Sequence, residues 1–474
     1  MTNSNMQDGR VNKDGKLTLT FCGGVGSVTG ANFLLTGPDG LSILVDCGLE
    51  QGTHDSDTHN HQDFIYKPSD CDFLLVTHSH LDHIGRIPKL VKEGFKGIIY
   101  STPETLELTK VMLDDALKIA TQDAARKNVP PLYEEKDVID SFKNWKAIEY
   151  HKNFELAPGY SVYIKDSGHI LGSAMFELTY KGTVEGKDYS RKIVFTGDLG
   201  NSPTPLLHDT EKITDADYLV MESVYGDKNH EDSGTRLEKL KIALMDNYKR
   251  NGTLIVPSFS LEKTQEVLFE IHKLMESKEL PSMRIYLDSP LALRVTEIYR
   301  RMKNDFNEEA TADSRKHDIF NFQGLRISDS SETSRLISKE PNPKVIMAGS
   351  GMSNGGRIVH HEAEYLGDSN NTILFLGYQA VGTLGKKISE GLKVVDINGQ
   401  KIKVKAKIEH IDGYSSHKDS DHLIEFVNDT ASTVKKVFVV MGETNSSLFL
   451  AQRLRDYDGV NAVHPEEGDT VVLD

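Results

Sequence analysis

The sequence predicts an α/β protein built in two parts, and three observations carry that prediction. From Lys16 to Tyr100 short apolar runs alternate with Gly, Pro and Asp, the texture of brief strands joined by tight turns. Past Gly226 the texture changes to apolar strands separated by helical spans, which is the pattern of a parallel sheet flanked by helices. The chain has 474 residues, enough for two domains and a sizeable core.

Taken in order, residues 17–22, 32–36, 42–46, 73–77 and 97–100 are the first candidate strands. Residues 102–127 repeat apolar side chains on one broad helical face, and Pro130-Pro131 ends that helix. A second helix is expected over 134–145. Strands return at 161–164, 174–180, 192–196 and 217–221. In the second texture, 253–257, 284–288, 344–348 and 372–376 are apolar strands, each ending in a loop of small or polar residues. Such loops gather on one sheet edge, where ligands bind. Residues 382–400 read as a connector, followed by a β segment at 401–410, a helix at 419–428, a strand at 437–441, a helix at 446–457 and a last strand near Thr470.

Composition bounds the function. The net charge of −16 argues against broad electrostatic attraction to nucleic acid, while leaving room for a local basic channel or a metal's own field. The start, Met1 to Lys16, is polar and has no signal-like apolar region, and no run reaches the ~18 apolar residues of a membrane span. Cys22, Cys47 and Cys71 are too few for a disulfide framework. They fit buried thiols of a cytoplasmic protein.

The chemistry concentrates in His78-Ser79-His80-Leu81-Asp82-His83, directly after the apolar run Phe73-Leu74-Leu75-Val76-Thr77. Positions two apart on an extended segment face one way, so His78 and His80 project together. Asp82 and His83 fall where a helix, Ile84 to Lys92, would start. Imidazoles and a carboxylate converging at a strand end are ligand types for zinc, iron or manganese. Asp46 closes another strand, either to orient a ligand imidazole or simply to start a turn. His169, in Ser167-Gly168-His169, and Asp198, in Thr196-Gly197-Asp198-Leu199-Gly200, also close strands. They are the candidates for a third imidazole and a bridging carboxylate. In the second half, Gly355-Gly356-Arg357-Ile358-Val359-His360-His361 could bring backbone N–H groups and a guanidinium to an anion, or simply start a helix.

This set resembles the metallo-β-lactamase superfamily, through Asp46, His78-x-His80-x-Asp82-His83, His169 and Asp198 in that order. The metal cluster alone would also suit glyoxalase II or a small-molecule hydrolase. Later motifs narrow the resemblance to the β-CASP branch of nucleic-acid-processing nucleases. Glu222, in Met221-Glu222-Ser223-Val224-Tyr225-Gly226-Asp227, matches its acidic motif A, and His417, in Ser415-Ser416-His417-Lys418-Asp419, its motif B histidine. Pro257-Ser258-Phe259, Leu287-Asp288-Ser289-Pro290-Leu291-Ala292 and Gly351-Met352-Ser353-Asn354-Gly355-Gly356-Arg357 look like its bacterial and archaeal ribonucleases and the related cleavage and polyadenylation specificity factor endonuclease.

The resemblance implies an αββα metallo-β-lactamase domain, residues 1–226 and 401–474, interrupted by an inserted parallel-sheet, Rossmann-like β-CASP domain at 227–400. It implies two Zn2+ ions, one held by His78, His80 and His169, the other by Asp82 and His83, with Asp198 bridging. Asp82 would orient the attacking water, and His417, supported by Glu222, would protonate the leaving oxygen. Ser258, Arg357, His360 and His361 are expected at substrate phosphates, although either histidine would also suit a packed helix. The activity implied is a ribonuclease, endonucleolytic, with RNA as partner. DNA is the second substrate class, and homodimers are known in the branch.

One residue departs from the pattern. Met441, in Val439-Val440-Met441-Gly442-Glu443, stands where the branch has its motif C histidine. A thioether is a poor ligand for Zn2+, so the second metal is expected to bind more weakly. The alternative that Met441 raises is a nucleic-acid-binding protein with an impaired metal centre. Nothing in the sequence places His464 or His410 at the site as a substitute.

Overall fold

The computed structural model describes residues 15–52, 55–230, 233–380 and 382–474. The polar start read above lies, but for its last two residues, outside them. The described chain forms two units, one of residues up to 199, 210–229 and 417–474, the other of 200–209 and 230–416.

The first unit holds two seven-stranded sheets. One begins as antiparallel pairs, Thr18–Gly23 with Asn32–Thr36 and then Ser42–Val45. It continues in parallel through Phe73–Leu75, Ile98–Ser101 and Trp145–Ala147. The other is an antiparallel meander from Asn153–Ala157 to Lys187–Phe195, extended in parallel by Tyr218–Met221, Lys436–Val439 and Ala462–Val463. Alternation sends Phe21, Phe33, Ile43 and Val45 of the first sheet, and Val162, Phe176, Phe195 and Phe438 of the second, into one buried core. Phe21 and Phe438 meet across it, their ring centroids 5.1 Å apart. The far face of the second sheet, with Val194, Leu219, Met221 and Val437, packs on the apolar sides of helices Ser420–Asn428 and Thr444–Asp458. Leu44 and Leu74, on the far face of the first sheet, are also fully buried, and the chain there supplies helices Ile87–Lys92 and Pro103–Lys127. The layers are therefore αββα.

The second unit is built on an all-parallel six-stranded sheet. Numbered along the chain, its strands lie in the order third, second, fourth, first, fifth, sixth. This exchanges the first and fourth strands of the usual dinucleotide-binding order. The sixth strand is Lys407–His410, on the edge beside Thr372–Phe375. The segment after Lys401, expected from sequence to re-enter the first domain, thus pairs here instead.

Two local expectations change. The helix expected over 134–145 is Glu135–Ser141, and Trp145 begins a strand that pairs in parallel with Ile98–Ser101, its indole N–H bonding Ser101 Oγ at 2.9 Å. The connector at 382–400 contains the helix Leu384–Ser389 and the first strand of a ribbon, Val394–Ile397 paired with Gln400–Lys403 around the turn Asn398-Gly399. Among the described residues no helix is long and apolar enough to cross a membrane, and all three cysteines are free and buried.

Candidate metal centre

Six strands of the first unit end at one place. Asp46, Thr77-His78, His169, Asp198, Glu222 and Met441 each follow the C-terminal end of a strand. Alternation places His78 and His80 together as expected, with His78 Nε2 3.1 Å from His80 Nδ1. His80 then stands directly before the short helix Leu81–Ile84, which carries Asp82 and His83. The single helix expected from Ile84 to Lys92 is broken at Gly85-Arg86, and a second helix, Ile87–Lys92, starts with Pro88 in its first turn. Gly48 lets the Asp46 loop press on this helix, since a Cβ there would stand 1.5 Å from the Asp82 carbonyl oxygen.

Asp46 sits at φ 57, a left-handed conformation that Asp tolerates better than most residues. Its Oδ1 accepts from the Thr77 N–H at 2.8 Å, and its Oδ2 from the Thr77 hydroxyl at 2.7 Å and from His83 Nδ1 at 2.8 Å. That fixes the proton of His83 on Nδ1 and leaves Nε2, buried and without a hydrogen-bond partner, to face the site. Asp46 therefore orients an imidazole as well as starting a turn. Thr77 is the residue that sequence reasoning missed. Its hydroxyl bonds Asp46 and lies 3.1 Å from His78 Nδ1, so His78 also turns its Nε2 inward. The available signal was a hydroxyl at the strand end, directly before the first histidine.

His78, His80, His169 and Asp198 form one group whose ligand atoms lie within 4.8 Å of one another, and Asp198, Glu222 and His417 form a second, adjoining it. His169 Nε2 is 3.2 Å from His80 Nδ1, and Asp198 Oδ2 is 3.4 Å from His169 Nε2 and 3.5 Å from His78 Nε2. A tetrahedral ion with bonds of about 2.0–2.1 Å needs ligand atoms about 3.3–3.4 Å apart. The residues present therefore fit a metal ion. Asp198 Oδ1 points the other way, 3.4 Å from His83 Nε2. Asp82 and His83 belong to neither group.

Burial and the neighbouring imidazoles hold His78 well below the usual histidine range, keeping its lone pair free. Burial works against charge on Asp198, yet His83, His78 and His417 hold its carboxyl well below the usual carboxylate range. Burial, against the pull of His83, pushes the Asp82 carboxyl up to about 6. Glu222 Oε1 accepts from the Leu199 N–H at 2.6 Å and lies 3.2 Å from His417 Nδ1. Burial opposes the His417 cation, but Glu222 and Asp198 outweigh it and raise that imidazole to about 9.

Met441 is 1% exposed and packs with the sandwich core. Its N–H bonds the Gly24 carbonyl at 2.7 Å. His464 Nδ1 bonds the Val439 carbonyl at 3.0 Å, and His410 stacks on Phe375 in the other unit. Neither joins a candidate metal group.

Of the four residues expected at phosphates, three have internal partners within the second unit. Ser258 Oγ lies 2.9 Å from Thr264 Oγ1. Arg357 Nη1 and His361 Nε2 lie 2.6 and 2.7 Å from the two oxygens of the buried Asp288. His360 is exposed. The pairings were hidden because Asp288 follows a different strand of the parallel sheet.

A buried His/Asp cluster at the strand ends of an αββα sandwich defines a metal-dependent hydrolase of the lactamase type. Models of three domains match the chain: a metallo-beta-lactamase superfamily domain at 35–196, a Beta-Casp domain at 264–388 and a Zn-dependent metallo-hydrolase RNA specificity domain at 401–465. Ribonuclease TTHA0252 of Thermus thermophilus is 33% identical over 434 residues, covering 91% of this chain and 94% of that protein. Transcription termination factor FttA of Methanosarcina mazei is 29% identical over 454 residues, covering 93% and 69%. A crystal structure of a protein of unknown function from Enterococcus faecalis shares the fold, with a TM-score of 0.56 at 14% identity, covering 96% of this chain and all of that one. The chain belongs to the β-CASP branch of the metallo-β-lactamase superfamily.

Proposed function

We propose that this chain is a zinc-dependent ribonuclease that hydrolyses RNA phosphodiester bonds, endonucleolytically, at a two-metal centre. The observation that carries the reading is Asp198, whose two oxygens face separate sets of imidazoles. His78, His80 and His169 would hold one zinc, and Asp82 and His83 the other, with Asp198 shared. The similarity to a ribonuclease along nearly the whole chain supports RNA as the substrate. The matched segments 35–196, 264–388 and 401–465 support a lactamase-type domain interrupted by an inserted one, and the pairing of Lys407–His410 with the inserted sheet moves the proposed return to the first domain from Lys401 to about His417.

Bound zinc supplies positive charge that eases loss of a water's proton and steadies the phosphodiester oxygens. Asp82, buried beside His83, would orient that water through a carboxylate oxygen. Glu222 fixes the His417 ring through Nδ1, and the His417 cation donates a proton to the leaving 3′-oxygen. Met441 favours a second reading, nucleic-acid binding with an impaired centre, because it brings a thioether where an imidazole would complete the second site.

Labelled RNA and DNA oligomers incubated with zinc and either wild type or Asp82→Asn separate these readings. Ribonuclease action predicts RNA cleavage by wild type alone, and cleavage of DNA only would make the chain a deoxyribonuclease. RNA bound but uncut under every divalent metal would leave the binding reading in its place.

A further inference from the structure

Phe259 and Tyr378 are large aromatic side chains that reach solvent in part, 37% and 46% exposed. They lie in the loops after two neighbouring strands of the parallel sheet, Thr253–Pro257 and Thr372–Phe375. In such a sheet the C-terminal loops are where ligands meet the fold. The Phe259 loop is firmly built. Its carbonyl accepts from the hydroxyls of Thr264 at 2.6 Å and Ser258 at 3.3 Å. The ring lies on the backbone of Gly351, where a Cβ would stand 2.5 Å from its Cδ2, so this seat requires glycine. Lys263 joins the two loops. Its Nζ donates to the Leu376 carbonyl at 3.2 Å and stands 5.3 Å from the Phe259 ring centroid.

We propose that Phe259 and Tyr378, with Lys263 linking their loops, form a stacking platform for unpaired nucleobases. A nucleobase offers a flat π-face to each ring, and the adjoining phosphate offers a negative charge to the ammonium. Stacking tolerates any base, so the platform grips single strands without reading their sequence. Burial, only partly offset by Glu266 and Asp412, pulls the Lys263 ammonium down to about 8, so it carries its charge only below that pH. The inference rests on nucleic acid being the substrate, as proposed above.

The test measures binding by fluorescence anisotropy in the Asp82→Asn chain, with a short oligoadenylate and its abasic counterpart of equal charge. Phe259→Ala and Tyr378→Ala each weaken oligoadenylate binding about tenfold, roughly the scale of one lost stack. Neither change alters binding of the abasic strand. Phe259→Trp restores binding. Phe259→Leu, which still fills the space on Gly351, binds as weakly as the alanine variant. Tight binding by the leucine variant, or an equal loss on the abasic strand, would overturn the platform. Cleavage of oligoadenylate by the chain with Asp82 intact is read separately. Base-dependent binding without cleavage would refute the nuclease and support the platform.

Discussion

Asp198 Oδ1 lies 3.4 Å from His83 Nε2, while the other oxygen of the same carboxylate faces His78 and His169. One side chain thus spans the two halves of the candidate centre. Asp198→Asn replaces one oxygen by an NH2 group that cannot ligate a cation. Loss of several kcal/mol of transition-state stabilisation is expected, about 10³-fold or more in the rate of RNA cleavage. Zinc content by elemental analysis should fall with it. A variant retaining wild-type zinc and rate would remove Asp198 from the centre.

Met441→His supplies the missing imidazole at a strand end next to the site. Its side chain is packed in the core, so a small loss of thermal stability is expected. Zinc per chain should rise relative to wild type, and cleavage should reach its maximum at lower added zinc. If metal content and rate both stay unchanged, Met441 does not limit the second site.

Three donors, the Thr77 N–H, the Thr77 O–H and His83 Nδ1, converge on the two oxygens of Asp46. Asn at this position turns its NH2 toward one of those donors and loosens His83. Asp46→Asn should weaken zinc affinity about 10- to 100-fold, the usual effect of disturbing a group behind a ligand. A competing chelator measures this, and unchanged affinity would argue that His83 needs no support.

In the second unit, Glu362 is fully buried and accepts a hydrogen bond from Ser353. Burial pushes its carboxyl up to about 8, against about 4.3 in an unfolded chain. Between those values the unfolded chain sheds a proton that the folded chain keeps. Stability is therefore fullest below the lower value, falls as pH rises toward 8 and levels off above it, by an upper bound of about 5 kcal/mol. Glu362→Gln keeps an acceptor for Ser353 and removes the titration. Its melting temperature should exceed that of wild type by several degrees near pH 8.5 and match it near pH 5. A difference independent of pH would show that Glu362 ionises as easily as an exposed carboxyl.

Much of the centre's layout was legible in the sequence because strand geometry is local. His78 and His80 face one way by alternation alone, and Asp46, His169, Asp198 and Glu222 each announce themselves as polar residues that close apolar runs. What was not legible depends on partners far along the chain. Arg357 and His361 read as possible phosphate contacts, with a packed helix position the alternative for His361, until the fold sets Asp288 between them, 69 and 73 positions away. The helix expected to continue through Trp145 yields to a strand paired with Ile98–Ser101, where Ser101, 44 positions earlier, also accepts the indole N–H. Lys407–His410 pairs with the inserted sheet because an open parallel edge there accepts it, which no pattern within those residues specifies.

The central requirement is that zinc held by these residues is needed for RNA cleavage. The direct measurement strips the protein with a chelator, returns zinc in steps, and records zinc per chain and the RNA cleavage rate on the same samples. The stripped chain should not cleave, and the rate should climb as a second, weaker equivalent binds after a tight first one. RNA cleaved at full rate by the stripped chain, or left uncut at every zinc loading, would contradict this expectation.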